Sequence, residues 1–467
     1  MKLLLQNKRV LVLGLGETGL SALRWLDKQG AILSVADSRD NPPNLDDLAR
    51  NMPHVAVHKG AFKNKVLLQA EVIVISPGVA LNQSAVLAAI EKGIPVVGDV
   101  ELFAQYRPKH AKVIGITGTN GKTTVTTLVG EICKKAGLKT IVAGNIGLPV
   151  LDTLSMQTPD IYVLELSSFQ LEALSSLQLD AATVLNICED HMDRYDTMAN
   201  YAAAKARILA HTKVAVLNRD DVISIGLANT NAVTFGLNTA PNMTDFGLVE
   251  CHAEGLDEGQ SEQYLASGQR KICKASALKI AGQHNVANAL AAAALCSAVG
   301  IDKAIISTAL LDFKGLPHRV EWVANIDNVD YYDDSKGTNV GATCAAIIGM
   351  TKNNKPQKVV LIAGGDGKGQ DFSPLAPAVQ ANSRAVVLIG RDAPLIEAVI
   401  LPTDIAIYHA VDLPEAVNIA KKIAKAGDAV LLSPACASFD MFKNYVHRAE
   451  VFVAAVKHLE NQQVAIC

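Results

Sequence analysis

Residues 113–124, VIGITGTNGKTT, bring glycines, a lysine and several threonines into one short segment. A β-prone run leads into Gly118, and a helical pattern begins at Lys122. The converging N–H groups of a glycine-rich turn and the positive end of the following helix together form a phosphate site. Lys122 can reach the β- and γ-phosphates of a nucleoside triphosphate, and a threonine hydroxyl can bind Mg²⁺. The spacing is shorter than in the common GxxxxGK[ST] motif, and the residues predicted to hold the phosphates are Gly118, Thr119, Asn120, Gly121, Lys122, Thr123 and Thr124.

Two more side chains with acid–base or metal-binding chemistry follow predicted strands. Glu165 follows a strand expected at 161–164, and His191 follows one expected at 182–187, inside the acidic turn CEDHMDR. A carboxylate and an imidazole at the carboxyl ends of strands beside a phosphate loop are well placed to hold Mg²⁺. A single Glu or His is more often a surface or structural residue, so it is the neighbouring phosphate loop that favours the metal site.

Lys205 has two opposed interpretations. In residues 200–209 it shares one helical face with Tyr201 and Ile208. The commoner role is a solvated lysine whose stem lies along the surface, and the pattern alone favours that role. On an inward face, desolvation would lower the pKa of the amine, which could then react with CO₂ to give a carbamate that binds Mg²⁺.

A second glycine motif, Gly14, Gly16 and Gly19, follows the first predicted strand, and Asp37 comes 18 residues after its last glycine (37 − 19 = 18). This pattern is typical of a pyrophosphate bound at a helix N-terminus, as in dinucleotide-binding folds. An NAD-dependent dehydrogenase is therefore one alternative, although it leaves the phosphate loop without a role. A P-loop switch or binding module is another, although it leaves most of the remaining chain unexplained.

The composition of the 467 residues is that of a globular chain, with 49% hydrophobic and 19% charged residues. Lys and Arg number 43 against 46 Asp and Glu, a net charge of −3, which argues against nucleic acid as a partner. Eight cysteines occur without a CxxC pair, which indicates reduced thiols rather than a zinc site or disulfides. With no signal-peptide pattern and no membrane-length apolar run, we expect a cytoplasmic protein without membrane contact, and a monomer.

Short apolar strands alternate with helical segments along the chain, which predicts the α/β class with parallel sheets. The first and third domains are expected to be Rossmann-like and the central one a P-loop mononucleotide-binding domain, at 1–100, 313–467 and 101–312 respectively. Residues 238–270 are expected to form a hairpin or an exposed loop. The predicted strands are 10–13, 32–36, 72–75, 96–97, 113–116, 161–164, 182–187, 359–363, 385–389, 405–409 and 429–432, and the predicted helices are 20–29, 122–136, one from 284, 413–425 and 440–459.

The compressed loop TGTNGKTT resembles that of Mur ligases and of folylpolyglutamate synthases. GLGETGLS, DSR at 37–39 and SPG at 76–78 resemble the UDP-binding segments of Mur ligases, which a folylpolyglutamate synthase is expected to lack. NICEDHMDRY and LLSPACASFDMF resemble the D-glutamate-adding branch of the Mur ligase family, and the resemblance covers essentially the whole chain. It implies an ATP-dependent ligase that adds D-glutamate to the alanine carboxylate of UDP-N-acetylmuramoyl-L-alanine through an acyl phosphate, a cytoplasmic step of peptidoglycan synthesis.

The resemblance also implies which residues form the site. On this interpretation the first glycine motif holds UDP, with binding residues Gly16, Glu17, Thr18, Asp37, Ser38, Arg39 and Gly78, and with Asn145 and His191 at the muramoyl-alanine end. The further ATP-binding residues are Asn285, Asn288, Arg319, Asp334 and Lys336, and the D-glutamate-binding residues are Thr338, Lys368, Ser438, Phe439 and Tyr445. The expected catalytic residues are Lys122, Glu165, His191 and Lys205. Two Mg²⁺ ions are expected, one held by Thr123 and Glu165 and the other by His191 and carbamylated Lys205.

The expected ATP contacts fall in both the second and the third domain. The third domain must therefore close over the second to complete the site, and a hinge is expected at 308–318. The chemistry requires no covalent nucleophile, so the cysteines are expected to be spectators.

Overall fold

The computed structural model describes residues 2–227, 232–251, 262–280, 282–351 and 358–464. Within these ranges the chain forms three separate β-sheets flanked by helices, which confirms the α/β class. The sheets span residues 9–98, 112–274 and 321–432, while the domain boundaries given above stay a prediction. Among the described residues, no helix has both the length and the apolar character needed to cross a membrane.

The first sheet is parallel, with five strands in the order β3-β2-β1-β4-β5. Order 3-2-1-4 is the Rossmann arrangement, in which the strand order reverses beside β1 and a ligand crevice opens at the carboxyl edge. Its strands are β1 (Arg9–Leu13), β2 (Ile32–Asp37), β3 (Ala56–Lys59), β4 (Val72–Ile75) and β5 (Val96–Gly98), and its helices are α1 (Glu17–Lys28), α2 (Leu45–Asn51), α3 (Asn64–Leu67), α4 (Ser84–Glu91) and α5 (Asp99–Tyr106).

The second sheet has nine strands in the order β14-β13-β12-β11-β10-β9-β6-β8-β7, parallel except at its β12–β14 end. β12 pairs antiparallel with β13, which agrees with the hairpin expected in residues 238–270, although residues 252–261 lie outside the described ranges. The strands are β6 (Lys112–Thr117), β7 (Thr140–Gly144), β8 (Ile161–Glu165), β9 (Leu179–Val184), β10 (Thr212–Asn218), β11 (Val233–Phe235), β12 (Phe246–Cys251), β13 (Glu262–Ser267) and β14 (Arg270–Lys274). The helices are α6 (Lys122–Lys135), α7 (Ser168–Glu172), α8 (Met198–Ala206), α9 (Val222–Gly226), α10 (Gln283–Ala298) and α11 (Lys303–Asp312).

The third sheet has six strands in the order β15-β16-β20-β17-β18-β19 and is parallel except for the β15–β16 hairpin. Its strands are β15 (Glu321–Ile326), β16 (Val329–Asp333), β17 (Val359–Gly364), β18 (Ser383–Ile389), β19 (Ala406–His409) and β20 (Ala429–Leu432). Its helices are α12 (Val340–Thr351), α13 (Leu375–Asn382), α14 (Ala393–Ile400), α15 (Leu413–Ile423) and α16 (Tyr445–Val464).

Two predicted elements include residues that lie in loops in the structure. The strand expected at 182–187 is β9, which stops at Val184 because the chain then turns under the phosphate loop, where Asn186 bonds that loop instead of a neighbouring strand. The helix expected from 440 begins at Tyr445, since the preceding residues form turns and Asn444 Oδ1 accepts the N–H of His447 at 2.9 Å. In both places apolar residues of a loop, buried at Leu185 and Ile187 and half-buried at Met441 and Phe442, resemble a regular element in sequence.

The first two units share a hydrophobic core, whereas the third has its own. α5 carries Phe103 against Tyr162 of β8, with ring centroids 5.0 Å apart. One buried cluster contains side chains of both units, among them Trp25, Phe103, Tyr162 and Tyr201. The described cysteines are free, as expected, with Cys133, Cys273, Cys296 and Cys436 buried, while Cys467 lies outside the described residues.

The glycine motif after β1 gives a test of this fold. A Cβ on Gly19 would lie 1.9 Å from Gly14 O, whereas a Cβ on Gly16 would meet nothing within 4 Å. Gly19→Ala should therefore lower the free energy of unfolding by about 3 kcal/mol through overpacking, and Gly16→Ala should change it far less. Equal midpoints for the two variants in urea unfolding would contradict the close approach of β1 and α1.

Candidate active site

The phosphate loop connects β6 to α6, and two of its glycines have positive φ, 152° at Gly118 and 82° at Gly121. Asn186 fixes the loop through its side chain and its backbone carbonyl, a role that was not predicted from the sequence. Its Oδ1 accepts Asn120 N at 2.8 Å and its Nδ2 donates to Asn120 O at 3.1 Å. Its backbone carbonyl accepts Thr119 N at 2.9 Å. These bonds fix the loop's shape and leave the N–H groups at the start of α6 to face a ligand.

Lys122 begins α6, and its side chain folds back over the loop. Its Nζ donates to Gly118 O at 3.0 Å and to Thr119 O at 2.8 Å. Burial lowers the pKa of Lys122, while Glu165 and Asp190 oppose that shift. The ammonium group is therefore held in the glycine-rich turn by backbone carbonyls, next to Thr123 and Thr124 of the first helical turn.

Glu165 ends β8 on the strand next to β6, and its side chain is buried. Oε1 accepts Asn145 Nδ2 at 2.8 Å, which brings together two residues that were predicted for different ligands. Oε2 is buried without a hydrogen-bond partner among the described residues. A buried carboxylate oxygen without a donor is costly, and a bound cation would relieve that cost, so this side chain fits a Mg²⁺ ligand.

Lys205 is 1% exposed, which rules out the solvated role that the sequence pattern favours. Its Nζ donates to Gly118 O at 2.8 Å and lies 4.6 Å from the centroid of the Tyr201 ring. The Tyr201 hydroxyl lies 3.2 Å from Thr119 Oγ1, so α8 packs directly on the phosphate loop. Burial, and after it the positive charge of Lys122, lower the pKa of Lys205 well below its usual value.

His191 lies in the acidic turn after β9 with a positive φ of 60°. Its Nε2 is 3.7 Å from Asp190 Oδ2, and its ring meets that of Phe169 edge-on at 4.9 Å. Burial lowers its pKa, so the imidazole is kept closer to its neutral, ligating form. Asp190 Oδ1 in turn lies 3.3 Å from Nζ of Lys368, a residue of the third unit.

A cavity of about 360 Å³ opens beside the phosphate loop between the second and third units. Its walls include Asn285 and Asn288 of α10, whose amides are joined by a 3.2 Å hydrogen bond. From the third unit come three residues predicted to bind ATP, namely Arg319, Asp334 and Lys336. Eight of the twelve residues predicted to bind ATP line this cavity, although they come from segments far apart in the chain. The lining does not include Gly118, Thr119, Lys122 or Thr123.

Arg319 stands in a backbone segment of unusual geometry, with φ of 62° at His318 and 51° at Val320. His318 Nδ1 bonds Asp333 Oδ2 at 2.7 Å, which secures the segment to the end of β16. Among the described residues His318, Glu321 and Asp333 also form a group that could hold a metal ion. His318 already bonds both carboxylates, Asp333 through its Nδ1 and Glu321 through its backbone N–H. We therefore interpret this group as a structural one that fixes the position of the neighbouring Arg319.

The residues predicted to bind D-glutamate are distributed around the third sheet's carboxyl edge. Lys368 reaches Asp190, and Thr338 follows directly after the cavity residues. Ser438 is buried, and its carbonyl accepts the N–H of Phe442 at 2.8 Å. Phe439 is 73% exposed, and the ring of Tyr445 lies 4.2 Å from Lys336 Nζ, on the nucleotide side of the site. The structure therefore brings Lys368 to the His191 turn and Tyr445 to Lys336 in the cavity wall.

The predicted UDP residues lie at the carboxyl edge of the first sheet. Asp37 Oδ2 accepts Leu15 N at 2.7 Å, and its Oδ1 accepts Arg39 N at 2.9 Å. The Arg39 side-chain hydrogen bond lowers the pKa of Asp37 to about 2. Gly16 stands at the start of α1, and a Cβ on Gly16 or on Gly78 would meet nothing within 4 Å, so both glycines face open space.

Arg194 joins this edge to the His191 turn and was also missed by the sequence analysis. Its guanidinium donates to Pro77 O at 3.3 Å and Val79 O at 3.4 Å, on either side of Gly78. It also pairs with Glu172 at 2.8 Å and lies 4.5 Å above the Phe169 ring. An Arg in a turn gives no local signal of its contact with the first unit, because Pro77 and Val79 are 117 and 115 residues away in the chain.

Comparison with known proteins matches all three units in chain order. Residues 8–98 match the Mur ligase MurD-like N-terminal domain, residues 116–296 the Mur ligase middle domain, and residues 318–436 the Mur ligase glutamate ligase domain. A UDP-N-acetylmuramoylalanine–D-glutamate ligase of Methylobacillus flagellatus is 58% identical over 463 residues, which cover 99% of both chains. The chain belongs to the Mur ligase family. The dehydrogenase, P-loop switch and folylpolyglutamate synthase alternatives are thereby rejected.

Further relatives support this membership of the Mur ligases. A protein of the same name from Thiobacillus denitrificans is 53% identical over 483 residues, covering 99% of this chain and 98% of its own. Among solved structures, MurF from Acinetobacter baumannii has a TM-score of 0.61 at 18% identity, covering 96% of this chain and 90% of its own. UDP-N-acetylmuramate-alanine ligase MurC from Thermotoga maritima has a TM-score of 0.58 at 19% identity, covering 97% and 100%. These two likenesses concern the fold.

The buried carboxyl group of Asp334 in this Mur ligase gives a pH-dependent prediction. Burial raises its pKa from the usual 3.8 to about 7, so the folded protein holds a proton that the unfolded chain releases. The stability present below pH 3.8 is therefore lost as the pH rises through about 7, and the full change corresponds to roughly 4 kcal/mol. Asp334→Asn cannot ionise and keeps an acceptor for Ser433 Oγ, so without nucleotide it should be more stable than the parent at pH 8.

Chemical unfolding of both proteins at pH 5 and pH 8 measures this difference. The gain from Asp334→Asn should be less than half as large at pH 5, because stability is lost at about 1.4 kcal/mol per pH unit above 3.8 and only about 1.6 kcal/mol has been lost by pH 5. An equal gain at the two pH values would contradict the raised pKa.

Proposed function

We propose that this Mur ligase joins the amine of D-glutamate to the alanine carboxylate of UDP-N-acetylmuramoyl-L-alanine, with conversion of ATP to ADP and phosphate. The proposal rests on two relatives named UDP-N-acetylmuramoylalanine–D-glutamate ligase, which are 58% and 53% identical to this protein over nearly the whole chain. The reaction would be a step of peptidoglycan synthesis in the cytoplasm. The match of residues 318–436 to a glutamate ligase domain supports the choice of amino acid.

A carboxylate and an ammonium ion do not condense in neutral water, so the carboxyl carbon must first be activated. In the proposed reaction the alanine carboxylate attacks the γ-phosphoryl group of ATP, and the acyl phosphate that forms is then attacked by the free amine of D-glutamate. A tetrahedral intermediate collapses and releases phosphate. Lys122 and the N–H groups at the start of α6 would bind the phosphates and offset the charge that builds between two anions.

The donor set around the phosphate loop fits divalent cations. Thr123 and Glu165 would hold one Mg²⁺, since Glu165 Oε2 is a buried carboxylate oxygen without a hydrogen-bond donor. His191 and a carbamate on Lys205 would hold a second. Bound Mg²⁺ would supply charge neutralisation for the transferred phosphoryl group.

The carbamate is supported by the state of the Lys205 amine. Only a neutral amine attacks CO₂, and the burial that lowers the pKa of Lys205 favours that form. In this step a nitrogen–carbon bond forms, one carbon–oxygen π bond becomes an oxygen lone pair, and the amine proton passes to water. The resulting carboxylate-like group would add one negative charge to the site in place of the neutral amine.

The two other substrates would meet at the His191 turn. Gly16, Glu17, Thr18, Asp37, Ser38, Arg39 and Gly78 at the edge of the first sheet would bind UDP, with Asn145 and His191 nearer the alanine end. Thr338, Lys368, Ser438, Phe439 and Tyr445 would hold D-glutamate. The contact of Lys368 with Asp190, next to His191, supports this meeting point. The third unit would move about residues 308–318 and exclude water from the acyl phosphate.

Phosphate release with a panel of amino acids tests the proposed reaction. ATP and UDP-N-acetylmuramoyl-L-alanine are supplied with D-glutamate, L-glutamate, L-lysine or meso-diaminopimelate, and the amide product is identified by mass. Phosphate and product should appear together with D-glutamate and fall at least tenfold with each alternative. Turnover with another amino acid, or none with D-glutamate, would refute the assignment.

Lys205→Ala tests the carbamate. The variant should lose at least a hundredfold in kcat, because it removes the group that would complete the second metal site. Formate or acetate should restore part of the rate, since a small carboxylate can enter the space left by the side chain. Lys213→Ala serves as the control, because Lys213 is an exposed lysine of β10 that pairs with Asp180 of β9. Loss without rescue, while folding is unchanged, would argue for a structural lysine.

A further inference from the structure

Asn339 lies at the start of α12, is 3% exposed, and was not among the residues indicated by the sequence. Its Nδ2 donates to Asn120 Oδ1 at 3.0 Å, and its Oδ1 accepts Asn120 Nδ2 at 3.2 Å. The two carboxamides therefore form a reciprocal pair in which each side chain is both donor and acceptor. The pair joins the phosphate loop of the second unit to the third unit.

Asn339 also has a simpler structural role, which must be separated from the first. Its Oδ1 accepts Ala342 N at 2.9 Å and its carbonyl accepts Thr343 N at 3.3 Å, as an N-cap residue of α12 does. The cap uses only acceptor atoms. The Nδ2 donor is directed away from the helix, to Asn120 and, at 3.4 Å, to Asp190 Oδ2. The Nδ2 bonds to Asn120 and Asp190 thus both go to the second unit, while Oδ1 is shared between the cap and Asn120.

The approach of the two units at this point is unusually close. A Cβ on Gly341 would lie 2.8 Å from Cys188 Sγ and 3.4 Å from Asn120 Nδ2. A side chain at position 341 would therefore separate α12 from the phosphate loop and break the amide pair. This steric requirement is independent of the hydrogen bonds and indicates the same contact.

The position of Asn339 connects two substrate sites. On the second unit its partner Asn120 belongs to the phosphate loop, whose backbone Asn186 already fixes. On the third unit it directly follows Thr338, one of the residues proposed to bind D-glutamate. The backbone of Asn120 is thus held within the second unit, whereas its side chain bonds Asn339 of the third unit and, through Nδ2 at 3.4 Å, Cys188 Sγ of the second.

We propose that Asn339 is a positioning residue that aligns the phosphate loop with the amino-acid site when the third unit closes. The assignment of the amino-acid site rests on the function proposed above. Without the amide pair the loop would still bind ATP, but its orientation toward the acceptor would no longer be fixed by closure. The enzyme would then need more ATP and more D-glutamate for the same rate, while binding of the sugar-nucleotide substrate to the first unit would be unaffected.

Asn339→Ser separates the two roles, because Ser is a good N-cap residue but is too short to reach Asn120. Its thermal midpoint should stay close to that of the parent, while kcat/KM for ATP and for D-glutamate should each fall about tenfold, as expected for losing one or two buried hydrogen bonds. Asp412→Ala is the matched control. Asp412 caps α15 in the same unit, with Glu415 N at 2.8 Å, so its removal should lower the midpoint and leave both kinetic constants unchanged.

A double-mutant cycle with Asn120→Ala gives the deciding measurement. If the two amides act as a pair, the double variant Asn120→Ala with Asn339→Ser should be no slower than Asn120→Ala alone. Multiplicative losses, or parental kinetics for Asn339→Ser, would overturn the proposal. Affinity for a non-hydrolysable ATP analogue is measured in the parent, the two single variants and the double variant, with no acceptor present. If the amides act as a pair, the double variant should again lose no more affinity than Asn120→Ala alone. If the parent enzyme turned over with a different amino acid, the proposed function would fail while this test would still stand.

Discussion

Two lysine side chains share one backbone carbonyl at the centre of this site. Gly118 O accepts Lys122 Nζ at 3.0 Å and Lys205 Nζ at 2.8 Å, and both amines are buried. Burial is the main cause that lowers the pKa of Lys205, and the positive charge of Lys122 lowers it further because like charges repel in a medium of low dielectric constant. Phosphate anions, a carbamate, or both would relieve this repulsion. The electrostatics of the loop therefore favour the anionic groups that the proposed reaction requires.

The sheet topology explains why the other charged groups converge on the same point. β6 carries the phosphate loop and lies between β8 and β9, so the residues that follow these parallel strands meet at one edge. Glu165 comes from β8, while Asn186, Asp190 and His191 come from the segment after β9. A change in strand order would separate the carboxylate from the lysines. The chemistry thus depends on the crossover connections as much as on the residues themselves.

The sequence was most informative where chemistry is coded locally. The phosphate loop, the glycine motif after β1, and Glu165 and His191 after their strands all have a short-range pattern, and the structure brings them to sheet edges as predicted. Asn186, Arg194 and Asn339 have no such pattern, because their partners lie 66, 117 and 219 residues away in the chain. Lys205 shows the same limit: its helical face could be read from the sequence, but only the packing of α8 on the loop decides that this face points inward.

The contrast between the two inter-unit contacts bears on movement. The first and second units are joined by aromatic and aliphatic side chains of a common core, and opening that contact would expose apolar surface to water. The described contacts of the third unit with the phosphate loop and the turn after β9 include polar ones, such as Asn339 with Asn120 and Lys368 with Asp190. Each such bond contributes only about 1 kcal/mol net, since water replaces it when the units part. The cavity beside the phosphate loop has walls from both units, so a large ligand enters it most readily when these weaker contacts open. The shared core meanwhile keeps the sheet edges of the first and second units in register.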